Sequence, residues 1–299
     1  MGTYFGFLYR QLTFKPKPLP ATVNLQGKTA LVTGASGGLG LEASLELVAR
    51  GVSRIILGVR DPSKCDATKS IAAKNPNVDV QIWKVEQESF ASIKEFADRA
   101  AELDRLDIVI LNAGVKGMEY VKSSKGGHEL NVQVNHLGTA FLSLLLLGPL
   151  RKTGIATKAP ARLTIVSSEN HFWVNLKEIC RPRYPDAIGS ERDVRTRVSD
   201  NVIINTVNPG FCQTGLHRNH AGGASFANMI GWTVAQGGHC LMDAATQHPH
   251  DHGAYISEQT VKSPSAFVLS KEGKSAQTKI WNETIELLTR EAPSSDLLP

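Results

Sequence analysis

The sequence predicts an α/β fold in which helices cover both faces of one parallel sheet. Six short segments are almost continuously apolar, which is typical of strands buried on both faces, and helix-like stretches separate most of them. This alternation implies right-handed βαβ units, and therefore a doubly wound sheet in a single domain. We expect the strands at Ala30–Thr33, Arg54–Leu57, Val80–Trp83, Asp107–Leu111, Arg162–Val166 and Val202–Val207.

Helices are expected between these strands, and a short strand is expected to close the sheet near the C-terminus. The closing strand is Gly253–Ser257, and the helix after it, from about Lys274 to Glu291, has one apolar face. An N-terminal arm, residues 1–25, precedes the domain at residues 26–299. The arm packs on the domain or touches a membrane surface, and we favour packing. The other expected helices are Leu39–Arg50, Ser63–Lys74, Ser89–Leu103 and Gly127–Leu147.

Composition argues against several classes of protein. The chain has 299 residues, of which 41% are hydrophobic and 20% charged, as expected of a soluble globular domain. Its net charge of +5 is spread along the chain, so we expect no nucleic-acid partner. The strongest apolar run, Phe141–Leu147, is short and there is no signal-peptide pattern, so we expect a cytoplasmic protein without a transmembrane segment. The cysteines lack metal-like spacing and are expected to be reduced: Cys65, Cys180, Cys212 and Cys240.

The first strand runs directly into a glycine-rich turn, Thr33-Gly-Ala-Ser-Gly-Gly-Leu-Gly40. Gly34 permits a sharp turn, Gly38 lets a pyrophosphate approach the backbone, and Gly40 lets the next helix pack closely on the sheet. The N-terminus of that helix offers free N–H groups and a positive dipole end to phosphates. Because the turn lies between a buried strand and a helix, it predicts a dinucleotide-binding Rossmann fold. The predicted contacts are Gly34, Ser36, Gly38, Leu39 and Gly40.

The residues after the second strand favour NADP(H) over NAD(H). Arg60 is the first residue after that strand, and Lys64 follows one helical turn later. An arginine here accommodates a ribose 2′-phosphate, whereas an acid would bind the free 2′-hydroxyl. Asp61 is the counter-argument, although Asp-Pro is also a common turn and helix-start signal.

Two further loops at strand ends complete the predicted rim of the cofactor site. Glu86, after the third strand, either holds the adenine amino group or is a solvated surface acid. After the fourth strand come Asn112, Ala113 and Gly114, which are small enough to leave room for a ribose. The carboxyl ends of parallel strands meet at one edge of the sheet, so these loops are expected to face the glycine-rich turn.

Several motifs occur in the order of the short-chain dehydrogenase/reductase family, which the chain resembles over roughly residues 26 to 258. It is most similar to fungal members that resemble retinol dehydrogenases, several of them similar to tailoring enzymes of secondary metabolism. The motifs are the glycine-rich turn, Asn112-Ala-Gly114, Val134-Asn-His-Leu-Gly138, Ser167-Ser168 and Asn208-Pro-Gly210.

The resemblance implies roles for individual residues. Ser168, chosen over Ser167, would polarise a substrate carbonyl, and Asn135 would anchor a proton-relay water. Both could instead be structural, because Ser and Asn often cap local backbone. Pro209, Gly210 and Thr214 would lie at the nicotinamide end. The family also uses a Tyr as general acid/base, with a Lys four residues later on the same helix face that lowers the Tyr pKa.

The Tyr-x-x-x-Lys pair is missing from the sequence. The only Tyr between Ser168 and the sixth strand is Tyr184, and Ile188 stands where the Lys would be. Residues of about 175–200, which should form the Tyr-Lys helix, are polar and look degenerate or shortened. Tyr184 is our candidate acid, with His171 and Lys177 as weaker substitutes. A deletion, a frameshift or a misread intron is a hypothesis that sequencing the transcript would test.

The sequence therefore favours an NADP(H)-dependent oxidoreductase that interconverts an alcohol and a carbonyl on a small hydrophobic substrate. A catalytically impaired dinucleotide-binding paralogue is the alternative. An S-adenosylmethionine-dependent methyltransferase is disfavoured by Arg60 and by Asn112-Ala-Gly114. A homodimer is left open, because the helix that usually forms the dimer is the altered one. A broad apolar pocket is expected from Phe172, Trp173, Phe211 and residues 226–234.

Overall fold

The computed structural model of the chain describes residues 4–173, 201–217 and 228–292, and these contain one eight-stranded sheet flanked by helices. The strands are β1 (Thr29–Thr33), β2 (Arg54–Val59), β3 (Asp79–Lys84), β4 (Ile108–Leu111), β5 (Ala161–Val166), β6 (Val202–Asn208), β7 (Tyr255–Ser257) and β8 (Thr260–Lys262). Across the sheet their order is β3-β2-β1-β4-β5-β6-β7-β8, and only the β7–β8 pair is antiparallel. The predicted doubly wound parallel sheet is confirmed, and β8 is an addition that the sequence did not predict.

Helices of the described part cover both faces of the sheet. They are α1 (Tyr4–Thr13), α2 (Gly38–Ala49), α3 (Ala67–Lys74), α4 (Phe90–Ala101), α5 (Thr139–Thr157), α6 (Val234–Thr246), α7 (Ala266–Leu269) and α8 (Lys271–Glu291). Side chains alternate along β1, so Ala30 and Val32 pack in the core beneath α2 and α6, whereas Leu31 packs in the core beneath α4, α5 and α8. All three side chains are fully buried, which explains why the strand is a continuous apolar run.

Two helix boundaries differ from the prediction. The expected helix at 63–74 is divided into a 3-10 turn, Pro62–Lys64, and α3, because Cys65 between them has an extended backbone; Asp61 caps the start of the short turn by accepting a hydrogen bond from the Ser63 N–H at 3.1 Å. The expected helix at 127–147 begins instead with a π-helical stretch, Val132–Gly138, and continues through Pro149 to Thr157. Burial of leucines on both sides of the proline stabilises this continuation: Leu146, Leu147 and Leu150.

The long helical stretch Val132–Thr157 is the one candidate in the described residues that is long and apolar enough to cross a membrane. Of its most apolar window, 78% is buried inside the protein, as expected of a core helix. Length and composition alone are weak evidence for a membrane span. Because Val132–Thr157 is mostly buried, we interpret it as a helix that packs on the sheet.

The described cysteines are buried thiols without disulfides: Cys65, Cys212 and Cys240. Burial raises the pKa of Cys212 to about 12, so its thiolate form is disfavoured at neutral pH. Within the described ranges, no group of three metal-ligating side chains lies together. Cys180 lies outside the described residues.

Candidate active site

The carboxyl ends of β1 and β4 lie side by side at the point where the strand order reverses. The chain runs from β1 outward through β2 to β3, and then returns to place β4 on the other side of β1. In doubly wound sheets, the loops at such a reversal diverge and leave a crevice in which ligands bind. The glycine-rich turn follows β1 and the Asn112–Gly114 loop follows β4, so both predicted motifs lie at this crevice.

Hydrogen bonds lock these two loops together. The Thr33 hydroxyl accepts from the backbone N–H groups of Asn112 and Ala113 at 3.0 and 3.1 Å. The Asn112 side-chain amide donates back to the Thr33 carbonyl at 3.0 Å. Asn112 is therefore held against the protein backbone, and the small residues after it, Ala113 and Gly114, form the open lip of the crevice.

Each glycine of the turn has the environment that its predicted task requires. Gly34 and Gly38 have φ angles of +67° and +58°, in the left-handed region that favours glycine. A Cβ on Gly40 would lie 2.5 Å from the Gly34 carbonyl oxygen, so only glycine lets α2 begin this close to the turn. By contrast, a Cβ on Gly37 or Gly38 would meet no atom within 4 Å. The backbone there faces open space, which is what an approaching pyrophosphate needs.

Two basic residues stand at the end of β2, beside the glycine-rich turn. Arg60 is exposed and has no ion-pair partner in the described part of the chain. Lys64 is 83% exposed and pairs with Asp61 at 3.1 Å. Asp61 also accepts from the Ser63 hydroxyl at 2.6 Å, and this hydrogen bond, helped by Lys64, lowers the pKa of the carboxyl. Asp61, the residue that favoured NAD(H) in the sequence, therefore caps the 3-10 turn that follows it.

Glu86, after β3, is not a freely solvated acid. Its carboxylate forms an ion pair with Lys125, and its backbone N–H donates to the Ser92 hydroxyl at 3.1 Å. A ligand that used the Glu86 carboxylate would compete with Lys125.

Ser168 lies at the end of β5, exposed on the same edge of the sheet. Its hydroxyl caps the 3-10 turn Glu169–Phe172 by accepting from the Asn170 N–H at 3.3 Å. That contact is long and leaves the hydroxyl hydrogen available to another acceptor. The neighbouring Ser167 is tied into the sheet, because its backbone N–H donates to the Val207 carbonyl at 2.8 Å.

Asn135 lies in the π-helical stretch that precedes α5, with its side chain turned to the crevice lip. Its amide bridges one backbone unit: Oδ1 accepts from the Val115 N–H at 2.9 Å, and Nδ2 donates to the Val115 carbonyl at 2.8 Å. A Cβ on Gly114 would lie 3.1 Å from Asn135 Oδ1. The structure therefore brings Asn135 together with the Asn112–Gly114 loop.

The loop after β6 carries the remaining predicted cofactor contacts. Pro209 is buried, and Gly210, with φ +76°, packs so closely on Trp232 that a Cβ would lie 2.4 Å from the indole ring. Thr214 is half-buried, and its hydroxyl accepts from the Leu216 N–H at 3.4 Å. Three other positions lie outside the described residues: the candidate acid Tyr184, Lys177 and Ile188.

The family model for short chain dehydrogenases matches residues 28–170. A curated relative, the short chain dehydrogenase sol3 of Alternaria solani, is 52% identical over 282 residues, which cover 87% of this chain and 99% of that protein. This chain belongs to the short-chain dehydrogenase family.

A second relative supports this assignment, and two solved structures share the fold. The short chain dehydrogenase/reductase mfmJ of Annulohypoxylon moriforme is 32% identical, with 93% of this chain and 90% of that protein covered. A solved structure of Pseudomonas aeruginosa RhlG with NADP has a TM-score of 0.62 at 22% identity, covering 80% of this chain and 97% of that one. The Escherichia coli oxidoreductase yciK has a TM-score of 0.62 at 21% identity, covering 83% and 100%. At these identities the structures show the shared fold.

In this short-chain dehydrogenase the N-terminal arm packs on the domain, as the sequence analysis favoured, but through contacts that it did not predict. The N-terminal arm contains helix α1, whose Gln11 side chain donates to the Phe211 carbonyl at 2.7 Å and accepts from the Phe211 N–H at 3.3 Å. The Trp232 indole donates to the Gln11 carbonyl at 2.9 Å. These partners are about 200 residues apart in the chain, so no local pattern could have indicated the contact.

Proposed function

We propose that the chain is an NADP(H)-dependent oxidoreductase that interconverts an alcohol and a carbonyl on a small hydrophobic substrate. Membership of the short-chain dehydrogenase family makes it an oxidoreductase that uses a nicotinamide dinucleotide. The observation that supports the proposal best is the open backbone at Gly37 and Gly38, beside the locked Asn112 loop and at the N-terminus of α2. By resemblance, we also propose a role in secondary metabolism.

The preference for NADP(H) rests on charge at the end of β2. Arg60 is exposed and available to a 2′-phosphate, and its planar guanidinium suits bidentate binding of a phosphate. Asp61 would repel that phosphate if it were free, but Lys64 and the Ser63 hydroxyl neutralise and orient it. RhlG, one of the structural neighbours, was solved with NADP, which is compatible with this choice.

The proposed chemistry uses few residues of this chain. A bound nicotinamide supplies the hydride. The Ser168 hydroxyl donates a hydrogen bond to the substrate carbonyl oxygen, which favours the charge that develops there. Asn135 orders the lip of the site through Val115. The proton comes from Tyr184 or from solvent, and apolar substrates are favoured by the aromatic side chains of Phe172, Trp173 and Phe211.

The alternative is a dinucleotide-binding paralogue with impaired catalysis. One observation favours it: none of the five tyrosines in the chain has a lysine four residues later. Without that ammonium a Tyr keeps a pKa far above neutral, so its value as an acid/base falls.

Turnover measurements separate the two functions. Purified protein is supplied with NADPH and a panel of ketones and aldehydes, apolar and polar, and oxidation of NADPH is followed. The proposed oxidoreductase turns over at least one apolar carbonyl, and Ser168→Ala lowers its kcat. The impaired paralogue binds NADPH but oxidises none of the panel. An Ile188→Lys variant raises kcat if Tyr184 supplies the proton, with Ile188→Gln as its uncharged control.

A further inference from the structure

Helix α1 packs against the loops that follow β5, β6 and β7, on the half of the sheet away from the glycine-rich turn. Gln11 binds the backbone of Phe211 after β6 through two hydrogen bonds. The Lys17 backbone, just beyond α1, exchanges two hydrogen bonds of 2.8 Å with the Gln259 side chain after β7. The arm is therefore fixed by side-chain hydrogen bonds to the loops that follow β6 and β7.

Arg10 connects α1 to the loop that carries Ser168. Its guanidinium forms an ion pair with Glu169, the residue directly after Ser168, and a second one with Glu258 at 2.9 Å. The Arg10 side chain is 17% exposed, and those of Glu169 and Glu258 are each 10% exposed. Lys262 lies 3.5 Å from the other oxygen of Glu258, so two cations and two carboxylates form one network.

The ion pairs of this network are largely buried, so they constrain the positions of the side chains that form them. Burial raises the pKa of Glu169, whereas the charge of Arg10 opposes that rise. Solvent screens the attraction between Arg10 and the buried Glu169 carboxylate poorly. Arg10 therefore stabilises this carboxylate more than it would stabilise an exposed one. Removal of Arg10 would leave Glu169 without the charge that holds it.

Aromatic contacts hold the far end of the same loop. The Phe7 ring lies edge-on to Trp173, with 5.7 Å between centroids, and also contacts Phe211 at 6.2 Å. Within the loop, the His171 ring lies edge-on to Tyr255 of β7 at 4.9 Å. The turn that Ser168 caps is thus fixed at both ends, by an ion pair at Glu169 and by ring packing at Trp173.

We propose that α1 is a clamp on the Ser168 loop, with Arg10 and Phe7 as positioning residues at the Glu169 end and the Trp173 end of that loop. This inference rests on the proposed function for its kinetic consequences, but not for its structural ones. Arg10 touches neither substrate nor cofactor in this account. It acts through Glu169, by fixing the backbone from which the Ser168 hydroxyl points.

The first test measures the loop itself and needs no activity. Amide hydrogen exchange is followed at Asn170 and Trp173, whose N–H groups donate to Ser168 Oγ and to the Asn170 carbonyl. In Arg10→Met we expect exchange at these amides to be faster by about tenfold, because the turn opens locally. Arg10→Lys should recover part of the protection. The control Lys94→Met removes an exposed ion pair on α4 and should leave both amides unchanged.

The second test is kinetic. Misplacement of Ser168 in Arg10→Met should lower kcat and kcat/KM together by about 10- to 100-fold, with the Kd for NADPH within about twofold of wild type. Phe7→Ala, which removes the ring packing on Trp173, should also lower kcat, about tenfold, for apolar and polar carbonyls alike. Phe5→Ala is its matched control on the same helix, because Phe5 is 82% exposed and Phe7 only 6%.

The two tests distinguish failure of the clamp from failure of the proposed function. If amide exchange is faster in Arg10→Met but the wild type shows no turnover, the clamp is supported and the proposed oxidoreductase activity is rejected. Unchanged exchange in Arg10→Met overturns the clamp, whatever the turnover. Normal kcat in Arg10→Met, with an active wild type, overturns its positioning role.

Discussion

The two halves of the sheet are built in different ways. In the glycine-rich turn, the glycines are a few residues apart in sequence and their spacing fixes the geometry, although the turn is also locked to the Asn112 loop, 79 residues away. At the β5–β7 end, the Ser168 loop is held by α1 from the opposite end of the chain: Arg10 and Glu169 are 159 residues apart, and Gln11 and Trp232 are 221. The glycine-rich turn is therefore specified mainly by local spacing, whereas the Ser168 loop depends on long-range contacts.

The largest effect is expected where the local geometry leaves no space. Gly40→Ala would place a Cβ 2.5 Å from the Gly34 carbonyl oxygen and 2.6 Å from Asn112 Nδ2, so α2 must move off the turn. We expect the free energy of unfolding to fall by about 3 kcal/mol, measured by urea denaturation, and NADPH binding to be lost. Gly148→Ala is the matched control: a Cβ there meets nothing within 4 Å, inside α5. It should raise stability by up to about 1 kcal/mol.

The second prediction concerns the pH dependence of stability at His136, in the helical stretch between β4 and β5 that joins the two halves. His136 is buried, its Nε2 lies 2.9 Å from the Thr284 hydroxyl, and burial lowers its pKa from 6.5 to about 4. Between pH 6.5 and 4 the unfolded chain binds a proton at His136 that the folded chain does not. The free energy of unfolding should therefore fall as pH drops, by about 3 kcal/mol over this window.

The free energy of unfolding of His136→Gln, measured by denaturation at several pH values, tests this prediction. The variant should lose that part of the pH dependence, whereas His250→Gln, at an exposed position, should keep it. An unchanged slope in His136→Gln would contradict the assignment.

The third prediction tests the Ser168 loop. Ser168→Ala should lower kcat about 100-fold, because it removes a donor to the charge that develops on the carbonyl oxygen. The Kd for NADPH should stay within about twofold, since Ser168 is not among the predicted nucleotide contacts. Ser167→Ala is the control and should change kcat little, since the contact that ties Ser167 into the sheet is made by its backbone. The reverse order of effects would exchange the roles of the two serines.

The smallest effect is expected at the ribose. Arg60→Ala should weaken NADPH binding about tenfold and leave NADH binding unchanged, because an exposed charge on a phosphate contributes only about 1 to 2 kcal/mol. Lys74→Ala, at an exposed position near the end of α3, is the control. Equal weakening of both nucleotides would show that Arg60 supports the loop rather than the phosphate.

The two halves also differ in how well the sequence predicts them. The tasks of Gly34, Gly38 and Gly40 follow from covalent geometry and close packing over seven residues, so spacing sufficed. The division of helix 63–74 was missed because Cys65, directly after the first turn, has an extended backbone that the local sequence pattern does not indicate. Continuation of α5 through Pro149 was missed because burial outweighs the local cost of a proline.

The contribution of α1 could not have been predicted from local patterns. Its Phe7, Arg10 and Gln11 face the domain, while Tyr4, Phe5 and Tyr9 remain exposed, so the apolar pattern alone does not show which side packs. Only the fold brings Glu169, Phe211 and Trp232 to one place beneath the helix. The candidate acid Tyr184 stays a prediction, because it lies outside the described residues.

The most direct test of the dinucleotide site is a calorimetric titration of the purified wild-type chain with NADPH and with NADH. We expect saturable binding of NADPH at one site per chain, about tenfold tighter than that of NADH. Gly40→Ala should abolish binding of both nucleotides. Absence of binding by either nucleotide to the folded wild type would contradict the dinucleotide site, and tighter binding of NADH would contradict the role of Arg60.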